Sequence, residues 1–272
     1  MVGSVLDVNF DAWPADNVAA AAFSGGVQVA SHGDVSHVFE LASVTKLLAA
    51  YGFLIAIEEG VFDLDSPVAG STVRHLLAHA SGVGFKKGDP LRPPATRRVY
   101  SSYGFELLAD AVAKEAEMPF AQYVDEAVFA PLGMSSTVLW GSAGHEARSC
   151  VSDLSNFVQE LLNPTLIDQR TLDVASSVHF PELSGVVPGF GMQRPCPWGL
   201  GFEIRGVKDP HWLGAQMPEK VVGHFGQSGT YVWVAPEKGV GMVVLTDRPF
   251  GNWAKPLWSE TNEALFKALV EL

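Results

Sequence analysis

Ser43, Val44, Thr45 and Lys46 set a hydroxyl and an amine three residues apart. On a helix, residues i and i+3 share a face, so this spacing brings a candidate base toward a candidate nucleophile. Alone the pair is uninformative, because a chain with nine lysines produces such a spacing about once by chance. Context sharpens it. Ser43 stands where strand-like residues give way to Leu47, Leu48, Ala49 and Ala50, which read as a buried helix with Ser43 in its first turn. The positive helix N-terminus and the apolar surroundings both disfavour an ammonium and favour a developing alkoxide. The bland alternative, an N-cap serine followed by a solvated lysine, fits poorly with a lysine opening an apolar helix.

A Ser-Lys site also needs a proton shuttle and an oxyanion hole. Tyr100, within Val99-Tyr100-Ser101-Ser102-Tyr103-Gly104, lies in a polar loop before a helix at Phe105 and is the candidate shuttle. His224-Phe225-Gly226-Gln227, where a strand meets a small residue and an amide, is the candidate opposite wall. His75 and His79 stand four apart on a helix, but no carboxylate accompanies them at metal-site spacing, so no metal and no cofactor are expected. The chain contains no Gly-x-Ser-x-Gly elbow, no Walker loop, no Cys-x-x-Cys and no His-Glu-x-x-His.

The elements that must hold these residues fall in a definite order. Ala19 to Phe39 alternates around Gly25-Gly26 and Gly33-Asp34 and predicts two or three antiparallel strands. Ser43 to Glu59 predicts a helix stopped at Gly60. A mostly helical stretch follows, with helices predicted at Val73–Ala80, Phe105–Glu117, Phe120–Phe129 and Val151–Leu162, separated by Pro- and Gly-rich loops such as Gly82 to Pro94. Strands return at Gly199–Ile204, Val221–His224, Thr230–Ala235 and Val240–Asp247, and a closing helix is predicted at Trp258–Val270. Strands at both ends could form one sheet. The fold class expected is therefore α/β of the α+β type: an antiparallel sheet flanked by N- and C-terminal helices, with an inserted all-helical subdomain. Residues 1–60 and 185–272 would carry the sheet and 61–184 the helices, with the catalytic cleft between them. Trp198, Trp212, Phe190 and Phe202 either rim that cleft or fill a core beneath a loop.

Composition narrows the function. The chain has 272 residues, 47% apolar and 18% charged, which suits an ordinary globular protein. Its net charge of −12 repels phosphate backbones and anionic lipid, so neither nucleic acid nor membrane is an expected partner. Met1 to Pro14 has no basic residue, and Leu47 to Ile57 is too short to span a bilayer, so a cytoplasmic location is expected. Cys150 and Cys196 read as ordinary thiols unless they pair.

Leu41-Ala42-Ser43-Val44-Thr45-Lys46 resembles the first motif of the penicillin-recognising serine hydrolases, which comprise class C β-lactamases, D-alanyl-D-alanine peptidases and family VIII carboxylesterases. Tyr100-Ser101-Ser102 is similar to their second motif, Tyr-x-Asn, and His224-Phe225-Gly226 to the third, Lys-Thr-Gly or His-x-Gly. Supporting segments match in order: His75 to Gly82, Pro131-Leu132-Gly133-Met134, Ser152-Asp153-Leu154 and Gly199-Leu200-Gly201-Phe202. The resemblance covers roughly residues 20 to 250. It implies the serine β-lactamase/DD-peptidase fold, with Ser43 as the acylated nucleophile and Lys46 and Tyr100 handling its proton. It further implies an oxyanion hole from the backbone N–H groups of Ser43 and Gln227, and substrate contacts from Ser102, His224 and Gly226.

Two departures bear on substrate. Ser102 stands where the family's Asn contacts the amide side chain of β-lactams, and His224 where Lys attracts their carboxylate. A hydroxyl has fewer donors than an amide, and a neutral imidazole supplies little field for an anion. Both tilt the expectation toward a carboxylesterase acting on small esters. The alternatives are a weak β-lactamase or D-alanyl-D-alanine peptidase acting on amides, and a non-catalytic member that keeps the pocket as a binding or regulatory protein.

Overall fold

Alternate residues of the first strand, β1 (Val18–Ser24), enter two different cores in the computed structural model, which describes residues 8–272. Met1 to Asp7, part of the stretch read above for a targeting signal, lies outside the described residues. Ala19, Ala21 and Phe23 pack into one core, and Ala20 and Ala22 into the other. A strand buried on both faces reads as a continuous apolar run, and β1 has that composition.

The remaining elements follow in chain order. Strands β2 (Val27–His32) and β3 (Phe39–Glu40) precede helix α1 (Thr45–Glu58). A short hairpin, β4 (Pro67–Val68) and β5 (Ser71–Thr72), leads to α2 (Val73–Leu77), α3 (Tyr103–Ala116) and α4 (Phe120–Val124). Strands β6 (Val138–Leu139) and β7 (Ala147–Ser149) then give way to α5 (Val151–Leu162) and α6 (Gln169–Ala175). The C-terminal part holds β8 (Gly185–Val187), β9 (Gly191–Gln193), β10 (Glu203–Ile204), β11 (Val222–Gly226), β12 (Thr230–Ala235), β13 (Val240–Thr246) and α7 (Ala254–Val270).

The main sheet has six antiparallel strands in the order β10-β11-β12-β13-β1-β2, so β1 from the chain's start lies beside β13 from its end. One face packs on α1 and α5 through Leu47, Leu154, Phe157 and Val158; the other packs on α7 through Trp258, Leu265 and Leu269. Helix α1 is buried at every residue from Thr45 to Ala56 and ends at Gly60, whose φ of +76° meets the left-handed requirement of a helix stop.

Three expectations are corrected. Ser43 sits in a 3₁₀ turn, Ala42–Val44, that leads into α1 rather than within it. The strand expected over Gly199–Ile204 shrinks to Glu203–Ile204, because Gly201 takes a φ of +86° where it packs on Ala50 and so breaks the extended run. The stretch 61–184 also carries short strands, and β7 pairs with β3 from the N-terminal part. Both cysteines are free and buried.

Candidate active site

The turn bearing Ser43 is clamped from both sides. The Leu41 N–H donates to the Ala147 carbonyl at 2.9 Å, and the Leu41 carbonyl accepts from the Thr230 hydroxyl at 2.9 Å. Thr45 Oγ1 accepts from the Ala147 N–H at 3.0 Å. Between these anchors Ala42 adopts a φ of +45°, a conformation that costs a non-glycine residue about 1 kcal/mol or more. Gly226 makes room for this turn: a Cβ there would overlap the Leu41 carbonyl and the Thr230 hydroxyl. The result sets Ser43 and Gln227 on one cavity wall. Among the described residues, neither of their backbone N–H groups donates to a backbone carbonyl.

Lys46 is fully buried. Its Nζ donates to the Gly144 carbonyl at 2.7 Å and to Ser102 Oγ at 3.0 Å, and lies 4.6 Å from the Tyr100 ring centroid. Burial pulls its pKa down to about 7, against a smaller opposing effect of Glu106. Neutral amine is therefore a major form near pH 7.

The Tyr100 hydroxyl lies between Ser43 and His224: it is 3.4 Å from His224 Nε2, and Ser43 is close enough to lower its pKa. Burial outweighs that effect and pushes the phenol above its ordinary value, so it stays protonated at neutral pH. His224 Nδ1 is 2.7 Å from the Phe225 carbonyl, which can only accept; Nδ1 therefore carries the proton and Nε2 is the acceptor. Burial first, then Lys46, pull the His224 pKa down to about 4, so the imidazole is neutral.

Ser43, Tyr100, His224 and Gln227 line one cavity of about 160 Å³, together with Phe85, Val187, Pro188, Trp198, Glu203 and Phe225. Ser102 does not line it; its hydroxyl is buried against Lys46. Gly226 is a backbone spacer behind Ser43. Of the four aromatics left open by the sequence, Trp198 lines the cavity, while Trp212, Phe190 and Phe202 are core. His79 is buried with its pKa well lowered, and its Nδ1 accepts from the Ser101 N–H. No group of three or more metal-ligating side chains occurs among the described residues.

Sequence reasoning missed Glu203. Its carboxylate faces the cavity but is saturated: Oε1 accepts from Lys208 at 3.1 Å and His211 at 3.0 Å, and Oε2 from Trp212 Nε1 at 2.9 Å. Those partners hold its pKa far below the ordinary carboxylate value despite burial. It also missed Arg98, whose guanidinium donates to the carbonyls of Ala78, Cys196, His179 and Phe180. Nothing in the local spacing marks either residue, because their partners lie on loops distant in sequence or are aimed only by the fold.

This architecture is that of the β-lactamase-fold serine hydrolases. The Beta-lactamase family profile matches residues 15–262, and the chain belongs to that family. A crystal structure of a β-lactamase from Mycobacterium bovis is 46% identical, with a TM-score of 0.95 over 98% of this chain and all of that one. A β-lactamase of Pseudomonas fluorescens is 21% identical over 79% of this chain and 80% of that protein. A penicillin-binding protein of Bacillus subtilis is 28% identical, but the match covers 37% of this chain and only 30% of that protein. Simvastatin synthase from Aspergillus terreus shares the fold, with a TM-score of 0.76 at 16% identity over 96% of this chain and 92% of that one. No helix among the described residues is long and apolar enough to cross a membrane.

Proposed function

We propose that the protein is a serine hydrolase that forms an acyl-enzyme on Ser43, and that its preferred substrates are small carboxylic esters. The observation that carries the reading is a buried Lys46 with a pKa near 7 at the base of the Ser43 turn. Its two donated hydrogen bonds, to Gly144 and Ser102, use both hydrogens of a neutral amine and leave the lone pair for the Ser43 proton. Ser43 Oγ adds to the ester carbonyl as Lys46 takes that proton, and the resulting oxyanion is held by the N–H groups of Ser43 and Gln227. Tyr100, kept as a neutral phenol, passes a proton to the departing alkoxide and is recharged from Lys46. Water then attacks the acyl-enzyme by the same steps in reverse roles, releasing the acid. In this reading the cleft opens between the sheet-bearing segments, which supply Ser43 and His224, and the mostly helical segment 61–184, which supplies Phe85 and Tyr100.

Ester preference rests on charge. His224 is neutral, and Glu203 is compensated by Lys208, so the cavity wall offers no free cation to an anionic acyl-side group. The second reading, a β-lactamase, is favoured by the 46% identity to the Mycobacterium bovis protein described as one. Two measurements decide. A fluorophosphonate probe should label wild type and not Ser43→Ala; equal labelling of both removes Ser43 as nucleophile. Wild type should also hydrolyse p-nitrophenyl butyrate with a higher kcat/KM than a chromogenic cephalosporin; the opposite order selects the β-lactamase.

A further inference from the structure

A second groove, of about 350 Å³, adjoins the Ser43 cavity and shares Phe85, Tyr100 and Pro188 with it. Its other lining residues are Arg92, Arg97, Arg98, Val99 and Val186. Three arginines and no carboxylate line this groove in a chain of net charge −12. The loop that supplies them is basic throughout: five of the 18 Lys and Arg residues, Lys86, Lys87, Arg92, Arg97 and Arg98, fall within 13 positions that hold one acid, Asp89. Among the described residues the side chains of Arg92 and Arg97 have no ion-pair or hydrogen-bond partner, whereas Arg74, Arg170 and Lys220 on other surfaces are paired with carboxylates. Arg98 is fixed by main-chain carbonyls alone, and its pKa of about 10, lowered by burial, leaves it charged at neutral pH. The exposed acid that acts on it is Glu182.

Building on the serine-hydrolase reading, we propose that this groove is a subsite for an oxyanion, a carboxylate or a phosphate, carried on the leaving-group arm of the substrate. The side of the scissile bond follows from Tyr100. It is the one polar residue lining both spaces, and as the donor to the departing oxygen it must stand on the leaving-group side. The acyl group then occupies the smaller cavity against Trp198 and Phe225. The leaving group emerges past Phe85, which is half exposed and stacked on Tyr100 with ring centroids 6.1 Å apart, and reaches the arginines beyond that shelf. This anion position is distinct from the one the third motif offers, since His224 lines only the cavity and the arginines only the groove. Guanidinium forks suit both carboxylate and phosphate.

The test uses three acetyl esters: 4-acetoxybenzoate, its neutral methyl ester, and 4-acetoxyphenyl phosphate. Each is assayed with wild type and with the Arg92→Gln/Arg97→Gln double variant. The anionic-to-neutral ratio of kcat/KM should fall about tenfold in the variant at low salt, chiefly through KM, and comparing wild type with variant cancels the esters' intrinsic reactivities. The wild-type ratio should also shrink in about 0.5 M salt, where the screening length is only a few ångströms. A larger fall for the phosphate than for the carboxylate identifies a phosphoryl group as the natural anion. Equal ratios in wild type and variant overturn the subsite. Calorimetric binding of 4-hydroxybenzoate and its methyl ester separates this outcome from failure of the hydrolase reading. Anion binding that is lost in the double variant, in a protein whose Ser43 takes no fluorophosphonate, keeps the subsite and removes the hydrolase; labelled Ser43 with no charge preference does the reverse.

Discussion

The Tyr100 hydroxyl lies 3.4 Å from a His224 nitrogen that has no proton to give, because the ring's one proton is held on Nδ1 against the Phe225 carbonyl at 2.7 Å. The phenol therefore donates toward His224. In the proposed mechanism Tyr100 carries a proton from Lys46 to the leaving group, and the Lys46 amine lies under its ring.

Lys46→Ala and Tyr100→Phe should each lower the acylation rate by about a hundredfold or more, and the double variant should lose little beyond the worse single one. Groups that work as one proton-transfer unit are strongly non-additive. Pre-steady-state acylation with p-nitrophenyl butyrate measures this, and additive losses would place the two residues in separate steps.

The pH profile should carry a single ascending limb near 7. The proposed mechanism needs neutral Lys46, whose pKa is about 7, while His224 at about 4 is already neutral across the range. kcat/KM for a neutral ester, measured from pH 5 to 9, should rise about tenfold per unit below the limb and level off above it. Stability should follow the same group. The unfolded lysine titrates near its ordinary 10.5, so between about 7 and 10.5 the unfolded state holds a proton that the folded state lacks, and this contribution makes unfolding harder as pH rises. Denaturant melts of wild type and Lys46→Met at pH 7 and 9 check the sign: the variant should gain less stability over that interval.

His224→Lys alone should move preference toward a cephalosporin over an ester by roughly tenfold, the worth of one charge-assisted hydrogen bond of about 1.5 kcal/mol. The companion change Ser102→Asn is not neutral to the base, because the Ser102 hydroxyl accepts from Lys46 and its Cβ packs on Gly144. It should slow both substrates, and the ratio of their kcat/KM values separates the two effects.

Arg98→Ala should cost about 2–4 kcal/mol of stability, since it leaves buried carbonyls of Ala78 and Cys196 without their donor. Arg98→Lys should restore only part, because one ammonium cannot reach carbonyls spread around a planar fork. A thermal or denaturant melt distinguishes the two variants.

Much of this was legible from residue order. The apolar run after Lys46, and the alternation of Ala19 to Phe39 around the turn signals Gly25-Gly26 and Gly33-Asp34, are local signals, and α1, β1 and β2 lie where those signals put them. Ser43, Tyr100 and His224 were flagged by type and position, and the fold brings all three to one cavity. What stayed hidden depends on long-range contact. Ser102 was expected to contact substrate because the resemblance places it where the family's Asn stands; the partner of its hydroxyl, Lys46, is 56 positions distant. Glu203 and the arginines of the groove carry no local signal: Glu203 joins the cavity wall, and Arg92, Arg97 and Arg98 the groove wall, only through tertiary packing.

The pairing of Val18 with Thr246 also constrains how a cell can make the protein. While the chain is still being synthesised, β1 has only β2 as a partner, and its other edge stays open until β13 (Val240–Thr246) has left the ribosome. Helix α1 is covered first by α3 and α4, and its contact with the sheet, through β11, forms later in the same interval. A polypeptide released before β13 and α7 are made would expose a bare edge on β1 and the sheet face that α7 covers. Such a fragment is a natural client for chaperones or proteases, and its fate in the cell would be decided by aggregation rather than by residual activity.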